Sequence, residues 1–223
     1  MADTNDLVAR LERLDSCAVS DALDKLGLSG CVTGLAPLTS ARRIAGRVRT
    51  VKLVARDAAP PAIGAPRHLG TTAIEAAEPG EIIVVEQRTG IDAGAWGGIL
   101  SVGAALKGIA GVIADGPVRD VDEARAIDFP VFARAATART ARNRIVEAAT
   151  DVPVAIGDVT VRPGDYAIAD ASAVVFIPAA DAPRVIEEAK AIARREAAMA
   201  QALRAGRNIT EVMGADYEHM LKK

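Results

Sequence analysis

The chain has 223 residues, half of them hydrophobic and only 3% aromatic, with a formal net charge of −2. That length suits one large domain whose core is built from small aliphatic side chains, packed as helix on sheet. Charges of both signs are scattered along the chain and no apolar run reaches membrane-spanning length, which excludes a basic nucleic-acid groove and a membrane span.

The opening "MADTNDLVARLERLDS" carries no apolar signal segment, and Cys17 and Cys31 show no framework spacing, so a reducing, cytoplasmic setting is expected. Asp3 or Thr4 can cap a first helix reaching Leu14, with Leu7, Leu11 and Leu14 at helical spacing. A second helix is expected from Ser20, stopped by Gly27. "GRVRTVKLVA" alternates as a strand from Gly46, and the proline-rich "APPAIGAP" reads as a loop. A helix over 71–77 ends at Glu78-Pro79-Gly80 and feeds a strand at 82–85.

"GGILSVGAALKGI" reads as a helix, followed by a strand at 112–114 that Asp115-Gly116-Pro117 turns out of the core. Asp122 and Glu123 then open a further helix. Short strands follow at 131–133, 152–156, 159–161, 166–169 and 174–177, and their tight-turn signals predict antiparallel hairpins. A long helix over about 181–204 and a short one after Asn208 complete the pattern. Asn208-Ile209-Thr210 matches a glycosylation sequon, but without a secretory signal it reads as ordinary surface sequence. The expected fold is a layered α/β domain with a mixed sheet, without a strict βαβ rhythm and not a Rossmann fold.

Three places could carry chemistry. Gly97-Gly98 precede a helix, so the amides of Ile99 and Leu100 become unpaired first-turn donors able to hold a carboxylate or phosphate. The same Gly-Gly pair is also a plain turn signal. Arg119 and Asp120 lie beyond the end of a buried strand, where α/β sheets tend to place ligands. Arginine offers a fork for a carboxylate and aspartate a hard oxygen for a divalent cation. Equally, Arg119 could pair with Asp122 or Glu123 in a solvated helix-start cluster. Thirdly, Glu196 interrupts an apolar seam of Val185, Ala189, Ile192, Met199 and Leu203, which calls for a partner, a metal, a facing subunit or an exposed helix edge. His68 and His219 read as loop and tail residues, and Asp92 as a turn residue or an outer acid.

Several segments together resemble the RraA-like family, which includes the class II 4-hydroxy-4-methyl-2-oxoglutarate aldolases and oxaloacetate decarboxylase-like enzymes. They are "VSDALDKLGLSG", "IAGRVRTV", "AAEPGEIIVVE", "WGGILSVGAALKGIAGVIADGPVRDVDE", "FPVFAR", "RPGDYAIADASAVVFIP" and "REAAMAQALRAG". The most specific feature is the Arg-Asp-x-x-Glu group, Arg119 to Glu123, set twenty residues beyond position 98. The resemblance implies a single domain over 1–223: an αββα-like sandwich of the swivelling-domain type, with its long C-terminal helix against a neighbouring subunit of a homotrimer or hexamer. It implies that Arg119 and the amides of Ile99 and Leu100, beside Gly97 and Gly98, hold a substrate carboxylate. It further implies that Asp120 ligates Mg²⁺ or Mn²⁺ and that Glu196 reaches the site from a neighbouring subunit.

The activity implied is cleavage or decarboxylation of a 2-oxo acid through a pyruvate enolate, with no Schiff-base lysine. The alternative is a regulator of ribonuclease that acts by docking. Such aldolases usually carry an acid where this chain has Gly98, which leaves Glu123 and Asp92 as candidates for the outer-shell role.

Overall fold

The computed structural model describes residues 4–59 and 68–214; Asp3, His219 and most of the proline-rich loop lie outside the described residues. In chain order the elements are α1 (Thr4–Leu11), α2 (Ser16–Lys25), β1 (Cys31–Val32), β2 (Ala36–Pro37), β3 (Ile44–Ala55), a 3₁₀ turn (Arg56–Ala58), α3 (Thr71–Ala76) and β4 (Ile82–Glu86). They continue as α4 (Gly98–Leu106), β5 (Gly111–Val118), α5 (Val121–Ala126), β6 (Val131–Ala136), β7 (Ile145–Thr150), β8 (Val154–Ile156) and β9 (Val159–Val161). The last are β10 (Tyr166–Ala169), β11 (Val174–Ile177), α6 (Ala182–Arg204) and α7 (Ile209–Val212).

Side-chain alternation along the strands builds four layers. On β4, Ile82 and Val84 point to one core and Ile83 and Val85 to another. On β10 and β11, Tyr166, Ile168, Val175 and Ile177 face α1, α2 and α6, while Ala167, Ala169, Val174 and Phe176 face the centre. Because a strand's side chains switch face at every residue, one sheet serves two cores. The central core, with Phe132, Ile113, Ile156 and Phe176, therefore lies between two β layers. One outer core packs α3, α4 and α5 against β3–β6; the other packs α1, α2 and α6 against β10 and β11. The result is the αββα arrangement.

A single long strand joins the two β layers. The strand order is β1-β11-β10-β3-β4-β5-β6-β2, with β7 also on β3. The start of β3 pairs antiparallel with β10, and its later residues pair with β4 and β7. Near this crossover a side chain on Gly46 would run into the carbonyl of Gly80, so only glycine fits. The sheet is mixed as expected, but β3, β4, β5 and β6 are parallel neighbours joined through α3, α4 and α5. The βαβ rhythm is thus stronger than the sequence pattern indicates.

Three expectations are corrected. The run Asp115-Gly116-Pro117 does not turn the chain; β5 continues through it to Val118, with a register shift against β6 between Ala114 and Pro117. Asp115 is buried, and its carboxylate accepts from Arg134 Nε and the Gly157 amide, both at 2.7 Å. Secondly, α2 starts at Ser16, capped by Asp15, whose carboxylate accepts from the Ala18 amide at 2.8 Å, and α1 stops at Leu11. Ser16 also donates its hydroxyl to Asp170 at 2.6 Å, which fixes α2 against the turn between β10 and β11. Burial raises the Asp170 carboxyl, but donors from Ser16, Ser172 and Ala173 outweigh it and hold the group below its ordinary range. Thirdly, β8 with β9 and β10 with β11 form antiparallel pairs, whereas β9 does not pair with β10. The strand β7 is absent from the sequence reading. Among the described residues no helix is long and apolar enough to cross a membrane.

Candidate functional site

The loop after β4 is tied to the carboxyl end of β5 by backbone hydrogen bonds. Gln87 is buried and donates from Nε2 to the carbonyls of Ile91 and Ala93 at 3.0 and 2.9 Å, which fixes the loop's course. The Ala95 amide donates to Pro117 at 2.8 Å, and the Arg119 amide donates to Trp96 at 3.0 Å. Trp96 is buried; its indole N–H donates to Ser101 Oγ, which donates to the Gly97 carbonyl at 3.1 Å. The first turn of α4 is thereby held against the end of β5.

Arg119 and Asp120 come to rest at this helix start. Arg119 Nε donates to both Asp120 oxygens, at 3.0 and 3.1 Å, and the Gly98 amide donates to Asp120 Oδ2 at 3.0 Å. Asp120 adopts a left-handed backbone (φ 56°), uncommon outside glycine but better tolerated by aspartate than by most residues. Such strain is maintained only where the surroundings enforce it. Here the Gly98 amide and Arg119 grip the carboxylate.

Close packing explains the glycines. A side chain on Gly97 would come within 2.9 Å of Asp120 Oδ2, and one on Gly94 within 2.9 Å of Arg119 Cγ. One on Gly98 would overlap the Glu123 carboxylate. Gly94 is a site contributor that sequence reading missed, because nothing local to it signals an arginine 25 residues away.

The structure therefore brings together Gly97, Gly98, Ile99, Leu100, Arg119, Asp120 and Glu123 at one helix N-terminus. The amides of the first turn have no intrahelical acceptor, and the helix dipole favours an anion there. Among the described residues Arg119 makes side-chain hydrogen bonds through Nε alone, to Asp120, which leaves its terminal nitrogens for a ligand. Among the described residues no group of three or more His, Cys, Asp or Glu gathers to hold a metal. Mg²⁺ is commonly held by only one or two carboxylates, with water and substrate supplying the remaining oxygens. Each Asp120 oxygen retains lone-pair capacity after its hydrogen bonds, so the donors fit such an ion.

Other candidates lie elsewhere. Asp92 is exposed and paired with Arg139 at 3.2 Å, and Asp122 with Arg125 at 2.5 Å. His68 is exposed, with Nδ1 3.1 Å from the Leu69 carbonyl. Glu196 is on α6, in the helix layer across both β layers from α4 and α5, so one chain does not bring it to Arg119. Its seam is buried at Val185, Ala189 and Ile192, while 194–198 are exposed. Glu196 is pushed above the ordinary carboxylate range by its limited burial and then by Asp15 and Asp21 of the α2 region.

A family model described as RraA-like, Aldolase/RraA, matches residues 16–176. The chain belongs to the RraA-like family. It is 29% identical to Protein DlpA of Legionella pneumophila over 92% of this chain, although it spans only 33% of that protein's length. It is 29% identical to a putative 4-hydroxy-4-methyl-2-oxoglutarate aldolase of Halalkalibacterium halodurans, over 83% of this chain and 82% of that one. Among solved structures, Streptomyces coelicolor RraAS2, described as an unusual member of the RNase ES inhibitor RraA family, superposes with a TM-score of 0.76. That RraA-like chain is 26% identical, with 88% of this chain and 96% of the other covered.

Proposed function

We propose that this RraA-like chain is a divalent-metal-dependent lyase that cleaves or decarboxylates a 2-oxo acid to give pyruvate. The observation that carries the reading is the convergence of Arg119, Asp120 and the first turn of α4 at the carboxyl end of β5. Asp120 would hold Mg²⁺ or Mn²⁺, which when bound supplies Lewis-acid stabilisation of the charge developing on the substrate's keto oxygen. Arg119, through its terminal nitrogens, and the amides of Ile99 and Leu100 hold the carboxylate beside the keto group. In cleavage the C4 hydroxyl gives up its proton as C4 leaves as a carbonyl compound, and in decarboxylation C4 leaves as CO2; either way the electron pair of the broken C3–C4 bond remains as the pyruvate enolate, and a proton returned to C3 completes the product. Glu196 of a neighbouring copy carries that proton. Its carboxyl, raised by limited burial and by Asp15 and Asp21, holds a proton more readily than a free glutamate.

Self-association is supported by two surfaces. Ile99, Val102 and Leu106 form an exposed apolar stripe along α4 directly beside the site. The C-terminal half of α6 has no buried residue beyond Ile192. A copy covering the first with the second would bring Glu196 to Arg119 in a homotrimer or hexamer of 223-residue single-domain chains.

The alternative reading, a docking regulator of ribonuclease, draws on the likeness to RraAS2. It gives no reason for an arginine and an aspartate held at a helix start.

Pyruvate release from mixed oligomers tests the proposal. Asp120→Asn and Glu196→Gln are each expected to be nearly inactive alone and to regain measurable activity when dissociated, mixed and reassembled. An inactive wild type would overturn the lyase reading. An active wild type without recovery on mixing would overturn donation between copies.

A further inference from the structure

Gln87 stands one residue beyond β4, buried, with its backbone amide donating to the Asp115 carbonyl of β5 at 3.2 Å. Its side chain makes all its hydrogen bonds within the loop that leads to α4. Nε2 donates to the carbonyls of Ile91 and Ala93, and Oε1 accepts from the Thr89 amide and hydroxyl at 3.3 and 3.2 Å. Both donors and both lone pairs are thus spent on residues 89–93. A buried amide satisfied wholly by one loop fixes that loop's shape, because another shape would leave its polar atoms unpaired. A side chain on Gly116 would lie 2.7 Å from Gln87 Cβ, so β5 packs closely against the glutamine as well.

The loop so held ends on Arg119. Gly94, the residue after Ala93, lies against the arginine stem: a side chain there would come within 2.9 Å of Arg119 Cγ and 3.2 Å of Cδ. The Gly94 amide donates to the Arg139 carbonyl at 2.9 Å, a second anchor for the same point. Among the described residues the Arg119 terminal nitrogens have no acceptor, so the guanidinium is aimed by Nε and by what the stem lies against. Asp120 has an anchor of its own in the Gly98 amide.

We propose that Gln87 is a positioning residue of the site: by holding residues 89–94 against the Arg119 stem, it aims the guanidinium at the substrate carboxylate. This rests on the lyase reading, in which Arg119 binds that carboxylate. Loss of Gln87 therefore weakens carboxylate binding and spares the metal. A general loosening of the fold would weaken both.

Calorimetric titration of the full-length protein with pyruvate, at saturating Mn²⁺, tests this beside Mn²⁺ uptake measured alone by electron paramagnetic resonance. Gln87→Met keeps the length of the side chain and removes its hydrogen bonds. It is expected to weaken pyruvate binding about ten- to a hundredfold, since a misplacement of about 1 Å can cost up to about 10²-fold. Mn²⁺ uptake should stay within about threefold of wild type. Gly94→Ala pushes on the same stem directly and should show the same split, which decides the matter if Gln87→Met folds poorly. Wild-type pyruvate affinity in either variant, or equal losses of pyruvate and Mn²⁺ binding, would overturn the role of Gln87 and leave the lyase reading standing. If the wild-type protein with Mn²⁺ takes up no pyruvate, the lyase reading falls and the role of Gln87 with it.

Discussion

Asp120→Asn is expected to lower kcat/KM for pyruvate release by roughly 10²–10⁴-fold while leaving the fold intact. Asparagine tolerates the left-handed backbone that Asp120 adopts and keeps an oxygen for the Gly98 amide, so the helix start is preserved. What it removes is the negative charge. That charge orients Arg119 through two contacts at Nε and, in the proposed mechanism, retains the cation. Metal stabilisation of a developing oxyanion amounts to several kcal/mol, and each factor of ten corresponds to about 1.4 kcal/mol. Steady-state kinetics across a metal titration check it. Activity within a few-fold of wild type at every Mg²⁺ or Mn²⁺ concentration would remove Asp120 from the chemistry.

The largest stability effect is expected at Phe132. Its side chain is fully buried at the centre of the core between the two β layers, where β6 pairs with β5 on one side and β2 on the other. Phe132→Ala removes a ring that sheets on both sides pack against, and neither layer can collapse into the gap without shifting its ladder. Such truncations cost about 3–5 kcal/mol. For a chain of this size each kcal/mol lowers Tm by about 2–4 °C, so a fall of roughly 6–20 °C is expected by thermal scan. A change below about 2 °C would show that this core is not the one holding the layers together.

The strand at 82–85 was legible, but not which of its residues face which core. Strands covered on both faces read as unbroken apolar runs, so the sequence does not show the alternation of Ile82 and Val84 against Ile83 and Val85. Asp115-Gly116-Pro117 carries every local mark of a turn. It stays extended because Arg134 and the Gly157 amide, 19 and 42 residues away, satisfy the aspartate inside the fold. The start of α2 was misplaced for a related reason: Ser20-Asp21 looks like a cap, but Asp15 caps the helix and Asp170, 154 residues from Ser16, fixes it.

At the candidate site, a charged pair beyond a buried strand was visible in Arg119-Asp120. The Gly98–Glu123 relation was not, because it depends on where a missing side chain would point. Gly94 lay hidden for the same reason. Glu196 stood out as a break in an apolar seam, yet the seam ends at Ile192 within one chain. In the proposed assembly the site that Glu196 reaches belongs to a second copy, which no pattern within one chain reveals.

In the proposed function the Arg119–Asp120 helix start supports metal-dependent release of pyruvate from a 2-oxo acid. The most direct measurement is pyruvate formed by the wild-type protein from oxaloacetate and from 4-hydroxy-2-oxo acids, in Mg²⁺ or Mn²⁺ and again after EDTA. Enzyme-dependent release is expected from at least one of these acids, lost with EDTA and restored by adding back the ion. Release that persists undiminished in EDTA, or no release above the metal-only background from any of these acids, would contradict it.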